Sequence, residues 1–151
     1  MQQSHYLESK VLTAPPQRLH LMLIEGAIRF GRLAEDALKQ GDQLTAATPL
    51  LRAIDILGEL VAGVRKRKSE LNTKLADLYW FMFRRVTEAK IGGDAAPLTE
   101  VLQLLEYERQ TWQLVCDKSS IGNAAAPPPP SVTAFGASRS QSMKASISFK
   151  A

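Results

Sequence analysis

The chain is poor in the side chains that carry most enzyme chemistry. One cysteine, Cys116, and two histidines, His5 and His20, occur in its 151 residues. A single thiol excludes an internal disulfide framework and points to a reducing compartment, the cytoplasm. The two histidines are isolated and Cys116 falls on an apolar stripe, so no metal centre is expected. No glycine-rich phosphate loop follows a strand, and no Ser, His and Asp set forms a triad. Neither an enzyme nor a cofactor is expected. No run approaches the roughly 18 apolar residues of a membrane span. The opening "MQQSHYLESK" lacks the apolar region of a signal peptide, so export of the chain itself is not expected. Acidic residues are absent beyond Lys118, whereas Arg139, Lys144 and Lys150 are present there. The net charge of +4 therefore sits largely in the tail, and residues 1–118 hold 16 basic against 15 acidic side chains. A nearly neutral body is weak ground for nucleic-acid binding.

What the chain does have is helical periodicity. Pro15 and Pro16 suit a first helical turn, where a missing N–H costs nothing. Leu19, Leu23, Phe30, Ala34 and Ala37 then recur at helical spacing up to Gly41. Asp42 suits the N-cap of a second helix. Pro49 predicts either a kink or a fresh start capped by Thr48, and Leu50, Ile54, Leu57, Val61 and Val64 form a seam. After "RKRKS" (65–69), Ser69 can cap a third helix with Leu71, Leu75, Leu78, Met82, Val86 and Ala89 inward, ending at Gly92-Gly93. Asp94 and Pro97 open a fourth, with Leu98, Val101, Leu102, Leu105, Trp112 and Cys116 inward. Short connections favour antiparallel neighbours. The expected fold is all-α: an up-and-down four-helix bundle over residues 15–118, preceded by a short segment (1–14). Residues 119–151, rich in Ala, Ser and Pro without a period, read as a disordered tail, with Pro127–Pro130 a stiff spacer.

Two stretches carry more apolar surface than such a bundle needs. In "LYWFMFRRV" (78–86), a wheel of about 100° per residue puts Tyr79 and Phe83 on one flank of the core stripe and Phe81 on the other. Trp80 points away from the core, with Arg84 one turn on, where its guanidinium can lie over the indole. Thr73, Ala76, Asp77, Thr87 and Ile91 complete this outer face. In the first helix, Leu21, Ile24 and Ile28 project opposite the Leu19–Leu23–Phe30 face. Contiguous exposed apolar surface marks a partner site. Tyr6, Leu7, Val11 and Leu12 suit a detachable lid over part of it.

The order of motifs resembles a known family. "YLESKVLTAPPQRLHLMLIEGAIRFGRLAEDALKQGD" is similar to the opening of flagellar secretion chaperones of the FliS type, and the similarity continues through "LLRAIDILGELVAGV", "KLADLYWFMFRRVTEAKIGGD" and "LLEYERQTWQLV". The resemblance implies an antiparallel bundle that binds the disordered C-terminal segment of flagellin, prevents premature filament assembly and brings the client to the cytosolic part of the flagellar export gate. The residues expected at the client are Tyr6, Leu7, Val11, Leu12, Leu21, Ile24, Ile28, Tyr79, Trp80, Phe83 and Arg84. The chain departs from the family pattern at Trp80, where a polar and often acidic residue is usual, and at Phe81 and Phe83, which replace tyrosines. It departs again at Arg65–Lys68, where the connection is commonly acidic, and in the tail. Two rival classes rank lower. One is a basic helical nucleic-acid module using Arg65–Lys68, Lys74 and the tail, which leaves Leu21, Ile24 and Ile28 unexplained. The other is a small helical enzyme, for which Arg109 is the one charged residue on a core stripe.

Overall fold

A computed structural model describes residues 16–125, with side chains through residue 119. Four helices follow in order: α1 (Pro16–Lys39), α2 (Gln43–Arg65), α3 (Glu70–Gly92) and α4 (Ala95–Ala125). Their boundaries come from local chemistry. Asp42 caps α2 by accepting from Thr45 N at 3.0 Å, and Ser69 caps α3 by accepting from Asn72 N at 3.0 Å. Each occupies one of the N–H groups that a helix start leaves unpaired. Gly93 ends α3 in the left-handed region, φ 65°, and the Asp94 N–H returns to Ala89 O at 3.2 Å. Asp94 Oδ1 then accepts from Ala96 N at the start of α4. Pro49 lies inside α2, which begins at Gln43 under the Asp42 cap, so the helix makes no fresh start at Thr48.

The chain divides into two compact units, Met1–Arg109 and Gln110–Ala151. In the first, the helices form an antiparallel up-and-down bundle with α1 touching all three others. The α1–α2 approach places Gly26 beside Ile56. His20 meets Tyr79 of α3. Gly31 lets α4 approach so closely that a Cβ there would lie 2.7 Å from Leu102 Cδ2. Thr99 Oγ1 of α4 donates to Glu35 Oε2 at 2.5 Å, which satisfies a buried carboxylate that Lys39 also approaches at 3.7 Å. On the surface Arg85 clamps α3 to α4, with Nε 3.1 Å from Glu100 Oε1. Arg109 pairs with Glu106 at 2.9 Å, beside Arg32. In the second unit α4 continues to Ala125, past the boundary expected at Lys118, with Cys116 buried and Trp112 half-buried. The expected lid and the tail from residue 126 lie outside the described residues.

The three neighbours of α1 correct one expectation. Leu21 and Ile24 are fully buried and Ile28 nearly so, whereas Leu19, Leu23 and Phe30 are only half-buried. A helix at the centre of a bundle buries a wide arc rather than one stripe. The arc here is centred on Leu21, Ile24, Ile28, Gly31, Glu35 and Leu38. Burying each Leu or Ile contributes about 1.5–3 kcal/mol, so these residues hold the bundle together from within. On α3 the buried set is Ala76, Tyr79, Met82, Val86 and Ala89, rotated slightly from the expected stripe. Ala76 is therefore inside, and Leu71 is exposed.

A candidate client-binding face on α2 and α3

The outer face shared by α2 and α3 follows from helical spacing. On α2, Leu44, Leu51, Asp55, Gly58 and Ala62 fall on one side of the helix, opposite the buried Leu50, Leu57 and Val64, and all are exposed except the half-exposed Gly58. On α3, Trp80, Phe83, Thr87 and Ile91 form the matching row. The rows meet where the Phe83 ring edge lies against Gly58, at ordinary van der Waals distance from where a Cβ would stand. Gly58 and Ala62 have almost no side chain, so the α2 row is low beside the Trp80–Phe83 pair. At one end Gln43 packs against Gly93, which brings the start of α2 beside the end of α3. Leu44 and Ile91 stand at that end, 88% and 81% exposed. From Leu44 to Ala62 the row runs about 27 Å at 1.5 Å per residue.

Trp80 is 43% exposed, as its position on the wheel requires. Its partner differs from the one expected: the indole stacks on Phe83, centroids 5.0 Å apart and planes 15° from parallel. Phe83 sits one turn on and toward α2, and an offset aromatic pair there covers more apolar surface than an exposed guanidinium would. Arg84 points to solvent beside the pair. Arg29 lies over the Phe30 ring at 5.4 Å instead.

Tyr79 belongs to the interior instead. Its hydroxyl donates to Glu108 Oε1 at 2.7 Å, and His20 Nε2 lies 2.7 Å from the Tyr79 hydroxyl oxygen. A phenol has one proton to give. With that proton directed at Glu108, His20 must be the donor to Tyr79, so Nε2 carries an N–H. Burial holds His20 in the neutral form, its pKa lowered from 6.5 to about 4. The relay ties α1, α3 and α4 together. Sequence reasoning missed it because residues 20, 79 and 108 are joined only by the tertiary fold.

Of the expected client residues, then, the fold brings Trp80, Phe83 and Arg84 together at the surface. It encloses Leu21, Ile24, Ile28 and Tyr79 within the bundle. Tyr6, Leu7, Val11 and Leu12 lie outside the described residues. Among the described residues no set of three His, Cys, Asp or Glu side chains gathers as a metal site, and no helix is long and apolar enough to cross a membrane.

Comparison with known proteins agrees with the motif order. Residues 1–119 match the family described as flagellar protein FliS. The flagellar secretion chaperone FliS of Salmonella typhimurium is 35% identical over 116 residues, covering 76% of this chain and 86% of that one. The chaperone of the same name from Bacillus subtilis is 33% identical over 108 residues, covering 72% and 80%. That from Escherichia coli is 29% identical over 109 residues, covering 71% and 80%. A match across the whole bundle, together with the all-helical architecture, assigns the chain to the FliS family of flagellar secretion chaperones.

Proposed function

We propose that the protein is an export chaperone that binds the disordered C-terminal segment of flagellin, keeps it from polymerising in the cytoplasm, and aids its delivery to the flagellar export gate. The observation that carries this reading is the exposed apolar face of α2 and α3, with Leu44, Leu51, Trp80 and Ile91, on a chain of this family. A disordered segment gains little from one contact, because ordering it costs roughly 2–5 kcal/mol or more of gross interaction energy. A face about 27 Å long accepts a helix of about five turns, with anchors at helical spacing. Trp80, Phe83, Leu51 and Leu44 supply apolar contacts along it, and Arg84 borders the aromatic pair. Leu21, Ile24, Ile28 and Tyr79 support this face from beneath. Tyr6, Leu7, Val11 and Leu12 act as a lid that competes with the client.

The test is a calorimetric titration of the full chain with the C-terminal segment of flagellin from its own organism. Native protein binds, and the segment gains helical circular dichroism on binding. Trp80→Asp weakens binding by at least about tenfold, or 1.4 kcal/mol, with the melting temperature little changed. A folded native chain with no affinity for that segment would overturn the proposal.

A further inference from the structure

We infer that the α2–α3 turn recognises the free C-terminal carboxylate of the docked segment and so fixes its direction along the α2/α3 face. This rests on the flagellin reading. Arg65, Lys66, Arg67 and Lys68 are consecutive and exposed, and none of the four takes part in an ion pair among the described residues. They are also held in place. Asn72 Nδ2 donates to Arg67 O at 2.8 Å, and Thr73 Oγ1 donates to Ser69 O at 3.0 Å, so the start of α3 braces the turn. An open cleft of about 610 Å³ lies there, bounded by Val64, Arg65, Arg67 and Lys68 on one side and Asn72 and Thr73 on the other. Ala62, the last residue of the α2 row, is about one helical turn from Arg65.

The far end lacks this excess of cations. The capping carboxylates Asp42 and Asp94 flank Leu44 and Ile91, with Lys39 and Lys90 close to them in the chain. A helix laid along this face meets an excess of cations at one end and balanced charges at the other. Its own N-terminus is partly positive and its C-terminus partly negative. The favourable arrangement puts the client's C-terminus at Arg65–Lys68, parallel to α2 and antiparallel to α3. A terminal carboxylate there adds a full charge and two acceptors to the helix dipole. A polynucleotide fits less well: the cations span one turn and are bounded by Glu70 and Asp77, too few for the many phosphate contacts that tight binding needs.

The experiment titrates the full chain with the flagellin segment made as the free acid and as the C-terminal amide. The same pair is titrated into a variant carrying Arg65→Gln, Lys66→Gln, Arg67→Gln and Lys68→Gln. All four side chains are exposed, so this variant keeps its fold, which circular dichroism verifies. Amidation is expected to weaken binding to the native chain about five- to tenfold near 50 mM salt, a difference that fades near 500 mM. In the variant, acid and amide bind alike. Equal binding of the two forms by the native chain, or an undiminished difference in the variant, overturns the carboxylate site while leaving the flagellin reading intact. Failure of both forms to bind sinks both proposals. Tighter binding of a single-stranded oligonucleotide than of the free acid at physiological salt overturns the carboxylate site in favour of a phosphate site.

Discussion

Tyr79, His20 and Glu108 place three polar groups inside an otherwise apolar junction, and their protonation follows from one another. Because His20 stays neutral in the folded state down to about pH 4, the folded chain resists a proton that the unfolded chain accepts near pH 6.5. Above pH 6.5 both states carry a neutral ring, and the contribution to stability is constant. Between pH 6.5 and 4 the unfolded state binds the proton first, so stability falls with pH, by at most about 3 kcal/mol. His20→Gln should flatten this segment of the pH–stability curve, measured by urea unfolding at pH 7.5, 6 and 5. An unchanged slope would show that the ring titrates normally. The interior position of Ile24 gives a second expectation. Ile24→Asp places a carboxylate where no partner exists, a change of the kind that costs about 3–5 kcal/mol. Loss of the cooperative thermal transition is the expected result, whereas a folded variant with altered binding would restore Ile24 to the surface.

At the scale of elements, the starts of α2, α3 and α4 and the end of α3 are legible in the sequence because each is set by neighbours in the chain, whereas the end of α4 at Ala125 is not. Asp42, Ser69 and Asp94 act within three residues of themselves, and Gly93 terminates α3 through its own backbone angle. The buried face of α1 is not legible in the same way. Its width depends on how many helices surround it, and Leu19–Leu23–Phe30 competes with Leu21–Ile24–Ile28 on equal apolar terms. The Trp80 face is readable because α3 has a core set on one side and a sparse opposite side. Its stacking partner is not, since Phe83 is drawn to Gly58 on another helix. Gly93 also joins elements, since any Cβ there would collide with the Gln43 side chain. Gly93→Ala should destabilise the bundle by about 1–2 kcal/mol through the left-handed backbone alone. Adding Gln43→Ala should recover only the part due to collision. Denaturant midpoints of the single and double variants measure the split.

For the whole molecule, the prediction concerns the thermodynamic signature of client binding. Leu44, Leu51, Trp80 and Ile91 are apolar and exposed, so covering them removes hydrocarbon from water and gives a negative heat-capacity change. Titration at several temperatures between 10 and 35 °C, a range of about 25 °C over which such slopes are resolved, should show binding enthalpy becoming more negative on warming. The body is nearly neutral, so salt should act mainly on the charge at the turn and leave the apolar share intact. A slope near zero would mean that the α2/α3 face stays wet in the complex.

The central place of α1 has a mechanical consequence. No outer helix can be peeled away without exposing the arc that α1 shares with α2, α3 and α4. A pull on the chain ahead of Pro16 is borne by the helix with the widest buried arc, so it meets the contacts of several helices together. A segment lying along the outer face yields differently, unzipping turn by turn under a small force. Under the proposed function, a machine that draws on both partners with equal tension strips the client and leaves its carrier folded.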